Sequence, residues 1–224
     1  MESTSDEKTM IIKTIHSMVG SYSAYDIFAD WVECMALAFA NQIQFNQKRE
    51  NAYKDLMKKY TEDQRTKLVE MFAWLVEWAD REMTDMLGWI YMHLEFGSKH
   101  LGQFFTPYHI CQTMAQLHHF DENEADEFTA NEPTCGAGGN IIALAEAMKM
   151  RGINYQQKLD ATLQDLDVKA VYMSYVQMTL YGIPAVVFQS DTLLDPKGTN
   201  SSTGKLYTFG YVLKHYGILE KEVN

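Results

Sequence analysis

The stretch that most constrains this fold is residues 131–140, NEPTCGAGGN, set between a short apolar run at 127–130 and a helical run at 141–150. Gly136, Gly138 and Gly139 permit positive φ or let a ligand approach the backbone closely. A helix opening just after them turns its unpaired N–H groups and the positive end of its dipole toward that ligand. Strand, glycine turn and helix together make half of a nucleotide-binding crevice. The same residues also serve in an ordinary turn, so the rest of the chain has to decide.

A chain of 224 residues holds one large domain or two small ones, and 46% hydrophobic content is ordinary for a globular protein. The apolar runs are short and broken by charges, which excludes a membrane-spanning helix. The first twenty residues start acidic and polar, unlike a signal peptide. Cys34, Cys111 and Cys135 show no paired spacing, and a cytoplasmic protein with reduced thiols is the simpler expectation. The net charge of -11 opposes a broad electrostatic grip on DNA. DNA contact is left to a local patch or a basic partner, and DNA mimicry is the rarer reading of so acidic a chain.

The first hundred residues read as an all-helical block. Residues 7–19 form a helix stopped at Gly20. Residues 23–41 carry a stripe of Ile27, Trp31, Met35 and Ala38, widened by Phe28, Val32 and Phe39. Residues 49–60 are short and charged. Thr61 has the character of an N-cap, followed by Leu68, Met71, Phe72, Leu75 and Ala79 at helical spacing. Residues 84–95 repeat the pattern, and 97–102 break it. In residues 103–108, QFFTPY, Thr106 is expected to cap a helix running to His118 with Pro107 as its first residue. Phe104 and Phe105 serve either as core or as an aromatic wall for a flat ring.

Residues 121–127 hold five acids in seven positions, a solvated connector. Beyond them short apolar runs alternate with helical ones: 127–130, 141–150, 158–163, 168–181 and 185–188. That alternation predicts α/β structure with a mostly parallel sheet, and residues 206–213 add a candidate strand. Asp165 then follows the second strand and Asp191 the third. Residues just past the carboxyl ends of parallel strands converge on one crevice. There an acid suits ribose hydroxyls or an amino group on a base. Capping or a turn is the alternative for both acids, and Asp167 is expected to cap the helix from Val168.

GQFFTPY, EPTCGAGG, LQDLD and SDTL, in this order and spacing, resemble the adenine-N6 DNA methyltransferases related to the methylation subunit of type I restriction–modification systems. The resemblance runs from about Tyr25 to Leu194. It implies a helical N-terminal domain, residues 1–100, followed by a Rossmann-like class I methyltransferase domain, residues 101–224, that binds S-adenosylmethionine. By position it assigns Gln103, Phe104, Phe105, Thr106 and Pro107 to the first cofactor loop. Glu132, Gly136, Ala137, Gly138 and Gly139 fall in the glycine motif around the methionine part. Asp165 takes the place of the ribose-binding acid and Asp191 that of the acid near the adenine ring. Cys135 stands where small residues are usual, and a catalytic thiol is a poor reading for it.

The family's catalytic tetrapeptide is Asn, Asp or Ser, then Pro-Pro, then an aromatic. Its carbonyls accept from the target amino group while the ring stacks on the flipped base. The four prolines here, Pro107, Pro133, Pro184 and Pro196, are nowhere adjacent. The sheet is expected to be shortened, with an exposed edge that calls for a protein partner or a homodimer. Two readings follow: a DNA adenine methyltransferase acting with a partner, or a cofactor-binding pseudo-methyltransferase that works by protein contact in, for example, regulation of or interference with restriction.

Overall fold

The computed structural model describes residues 6–94, 105–118 and 127–217. The break at 97–102, Gln103, Phe104 and residues 121–126 of the acidic connector lie outside the described residues. The architecture is mixed α/β, with a helical N-terminal region leading into a small, mostly parallel sheet.

Among the described residues, five helices make the N-terminal region. α1 (Glu7–Met18) is capped by Asp6. α2 (Ala24–Ile43) starts in a capping box in which Ser23 and Asp26 satisfy each other's backbone N–H. α4 (Glu62–Arg81) starts in the same way from Thr61 and Gln64. Residues 49–60, short and charged in sequence, fall largely within a full helix, α3 (Gln47–Lys58). Only Leu56 of α3 is buried, so the helix carries almost no apolar stripe to read, and its start is set by the Asn46 side chain. α5 (Met86–His93) is shorter than the 84–95 pattern because Asp85 is its cap, accepting from Gly88 N at 2.9 Å. The core between these helices is aromatic and sulfur-rich, with Trp31, Trp78, Tyr60 and Met71 almost wholly buried. Indole N–H groups have partners inside it: Trp31 donates to the Leu68 carbonyl at 3.1 Å and Trp78 to Glu82 at 2.6 Å.

α6 (Tyr108–Gln116) departs from the expected cap. Pro107, not Thr106, occupies the cap position with ψ 134, and its carbonyl accepts from Ile110 N and Cys111 N. The helix has no side-chain hydrogen bond at its cap. The helix is fastened to α7 (Gly139–Met150) by Tyr108 and Gln112, which both donate to Glu146 at 2.9 Å. Cys111 and Ala115 pack on Ala143 and Ala147, small residues that let the two helices approach closely.

β1 (Phe128–Glu132), β2 (Leu159–Asp165) and β3 (Ala185–Gln189) lie side by side in chain order and parallel. Phe128 pairs with Leu159, and Ala161 with Ala185, so the carboxyl ends of the strands finish on one side of the sheet. The short α8 (Tyr155–Lys158) leads into β2. α9 (Val168–Leu180), capped by Asp167 as expected, is buried nearly all round because the sheet covers one face and α2 another. The candidate strand at 206–213 is strand only over β4 (Leu206–Tyr207), antiparallel to β3. Thr208 ends it: its hydroxyl donates to Ile183 O at 2.7 Å and accepts from Ala185 N and from Tyr211 N, starting α10 (Phe209–Tyr216). Lys214 and His215 then pair α10 with Asp160 of β2. Among the described residues β1 pairs only with β2, and no helix is long and apolar enough to cross a membrane.

Candidate functional site

The glycine turn after β1 is held by its neighbours. Gly136 and Gly138 have φ of 52° and 94°, the left-handed region that side-chain-bearing residues adopt at a cost. Space enforces the same choice. A Cβ on Gly136 would lie 2.9 Å from the Phe105 ring, and one on Gly138 2.9 Å from the Met178 methyl. The Asp165 carboxylate, at the end of β2, accepts from Gly136 N at 2.9 Å and from Asp167 N at 3.0 Å. One acid therefore ties the turn after β1 to the turn after β2. Thr192 does the same for the turn after β3, accepting from Gln164 at 2.6 Å and donating to Pro133 O at 2.5 Å.

The turn after β1 and the end of β2, with Asp85 and the segment before α6, line a cavity of about 300 Å³. Phe105, Thr106, Gly136, Ala137, Gly139 and Asp165 of the sequence candidates line it. Pro107, Glu132, Gly138 and Asp191 are not among its lining residues. Glu132 is engaged from within, accepting from Asn140 Nδ2 at 2.9 Å. The Asp191 carboxylate accepts from Leu193 N at 2.9 Å and Leu194 N at 3.1 Å, an Asx-type turn.

The lining also contains residues that the sequence patterns did not single out: Asp85, Cys111, Thr134 and Asn140, with Cys135 beside them. Asp85 is the most unusual. It is buried, and Gln177 of α9 donates to its Oδ1 at 2.8 Å. The same Gln177 amide donates to Ala137 O at 2.8 Å, and its Oε1 accepts from Leu87 N at 3.1 Å. One buried glutamine thus joins the helical region, α9 and the glycine turn. Burial pushes the Asp85 carboxyl above its ordinary range, against the lowering effect of the Gln177 and Gly88 bonds. The sequence signal was an acid three residues before Gly88 at a helix start, which marks a cap but not its burial.

No thiol here is set up as a nucleophile. Burial pushes Cys111 up to about 11 and raises Cys135 as well, so both stay protonated near neutrality. Cys135 Sγ sits 3.4 Å from Ser174 Oγ, inside the core. No lysine or arginine lines the cavity among the described residues. Its walls offer acids, backbone N–H and C=O groups, and one aromatic face. Asn140 Oδ1 is buried there without a hydrogen-bond partner. Such a lining suits a neutral or positively charged ligand better than a phosphate-rich one.

The model of the N-6 DNA methylase family matches residues 81–213, more than half of the chain. Among solved structures, the chain is similar to the methyltransferase subunit of the type I restriction–modification system from Streptococcus thermophilus, at 22% identity and a TM-score of 0.44. That alignment covers 86% of this chain and 40% of the subunit, so the chain spans well under half of its length. No curated protein matches.

Proposed function

Because this chain belongs to the N-6 DNA methylase family, we propose that it binds S-adenosylmethionine in the cavity beside the glycine turn and forms the cofactor half of an adenine-N6 methyl transfer to DNA. The observation that carries this reading is the cavity itself. It lies at the carboxyl ends of β1 and β2, walled by a strained glycine turn, by Asp165 and by Phe105, with no cationic residue among its described lining. The residues fit a sulfonium-bearing nucleoside: Asn140 Oδ1 is an acceptor without a partner, and a side chain on Gly136 would collide with Phe105.

The bound cofactor would supply an electrophilic methyl group. The protein's own part is to bind, orient and exclude water. Gly136 and Gly138 bring backbone to the ligand. Asp165 keeps the turn in place and presents an acid at the ribose position. Phe105 covers one side and Thr106 offers a hydroxyl. Asp191 serves the adenine end, and Gln103 and Phe104 complete the first loop. We read residues 1–100 as the helical unit and 101–224 as the cofactor-binding unit.

In this proposal the acceptor side is supplied from outside these 224 residues. The sequence has no Pro-Pro step, so the groups that would receive a target amino group are not in it. The β1 edge, paired only on its β2 side among the described residues, is where another strand can add. The same missing step favours one second reading, a cofactor-binding protein that acts by contact without methyl transfer.

Calorimetric titration with S-adenosylmethionine and S-adenosylhomocysteine, then a transfer assay with labelled cofactor and DNA, tests both readings. Cofactor binding with transfer in the presence of a partner supports the first. Binding without transfer under any pairing supports the second. No binding of either nucleoside contradicts both.

A further inference from the structure

Asp85 places a carboxyl group in the wall of a cavity, 6% exposed, with no cation beside it among the described residues. Its bonds are unevenly shared. Gly88 N and Gln177 Nε2 both donate to Oδ1, at 2.9 and 2.8 Å. Oδ2 faces the start of α7, 3.2 Å from where a Cβ on Gly139 would sit, and neither it nor the Cys111 thiol nearby leaves room for a side chain there. A capping role alone needs only a neutral acceptor such as serine or asparagine. A buried carboxylate whose second oxygen is left toward a cavity is costly unless something positive meets it.

Resting on the cofactor reading above, we propose that Asp85 is the anchor for the α-ammonium group of the bound nucleoside's amino-acid tail. The position favours this end of the ligand. Asp85 stands against Gly139, at the opening of α7, whereas Asp165, the acid at the ribose position, stands on the far side of the turn at Gly136. Two acids flanking one glycine turn divide the ligand between them, hydroxyls to one and ammonium to the other. The ammonium would reach a carboxylate that is already desolvated and already oriented by Gln177, so little reordering accompanies binding. The raised proton affinity of the empty, buried Asp85 has the same origin: the site lacks a positive charge until a ligand brings one. Gln177 is then a positioning residue, since it holds Asp85 and Ala137 O with one amide.

The test compares two ligands on the full chain, S-adenosylhomocysteine and its deamino analogue, which lacks only the α-amino group. Wild-type protein is expected to prefer the amino compound by roughly ten- to a hundredfold, the range for a charge-assisted bond. Asp85→Asn, which retains the cap acceptor and the volume, is expected to erase that preference while leaving affinity for the deamino analogue within about threefold. Asp85→Ser, a second capping residue without charge, is expected to behave the same way and covers the case in which the amide variant fails to fold. Equal loss for both ligands, or an undiminished preference, overturns the assignment while leaving the cofactor reading intact. Wild-type protein that binds neither compound overturns the cofactor reading and the anchor with it.

Discussion

The helical region and the α/β region bury different kinds of side chain. The first hides large aromatic and sulfur-bearing groups, Trp31, Tyr60, Met71 and Trp78 among them. The second also hides Tyr175, Met173 and Met178, but adds small residues, such as Ala143, Ala145, Ala161, Ala170 and Ala185, and most of the buried polar groups: Gln164, Ser174, Gln177, Ser190 and Thr208. The first composition yields stability through apolar area. The second allows helices and strands to approach closely and fixes the turns at the carboxyl ends of the strands by hydrogen bonds. One region is built to hold, the other to position, and Asp85 with Gln177 joins them.

Substitutions can separate those roles. Trp78→Ala should have the largest effect on stability, about 3–5 kcal/mol by denaturant unfolding, as expected for an emptied aromatic site. It should leave cofactor affinity per folded molecule unchanged, and a matching fall in affinity would break the division. Gln177→Leu should cost less, about 2–3 kcal/mol, because it strands the Ala137 carbonyl and Leu87 N–H and removes one of the two donors to Asp85. Unlike the tryptophan change it should also weaken cofactor binding, since the glycine turn and Asp85 lose their common support. A loss of stability with full affinity would show that the two regions are not coupled through this residue.

The smallest effect is one of pH. Burial raises the Asp85 carboxyl above its ordinary 3.8. The unfolded chain therefore gives up this proton first, and the native state loses stability as pH climbs above that value until the folded carboxyl also ionises. Among the described residues, Gly88 N–H, the Gln177 amide, the Cys111 thiol and the tyrosines at 108 and 181 are the groups around it, and none of these is cationic. Asp85→Asn removes the term. In ligand-free protein its stability relative to wild type should improve as pH climbs through and above the ordinary carboxylate range. A constant difference across that range would mean that the carboxyl is not desolvated.

Much of this arrangement was legible in the sequence, for identifiable reasons. Thr61 announces a helix start because a hydroxyl before an apolar stripe has few other uses, and it caps as read; Ser23, read as the first helical residue, is the cap of α2. The alternation after residue 127 announced the parallel strands, and Gly136 and Gly138 take the positive φ that their spacing implied. What escaped were features set by tertiary contact. α3 has one buried residue and so no periodic signature. The run from Leu206 stops being strand at Thr208 because that hydroxyl is claimed by Ile183 O, a partner 25 residues away. Pro107 displaced Thr106 at a cap where both fit the local rules. Asp85 stood out in no sequence pattern, and only its neighbours Gln177 and Gly139, far along the chain, make it a cavity wall.

The central claim is that the glycine turn holds S-adenosylmethionine, and Gly136 tests it most directly. At φ 52° with a Phe105 ring carbon 2.9 Å from the nearest Cβ position, valine at this site must move the turn or the ring. Calorimetry with S-adenosylhomocysteine on wild type and on Gly136→Val, each shown folded by circular dichroism, gives the answer. The account predicts saturable one-to-one binding to wild type and at least a hundredfold loss in the variant, about 2.7 kcal/mol. Equal affinity in both proteins would place the ligand elsewhere, and heat-silent titrations of a folded wild type would contradict the account outright.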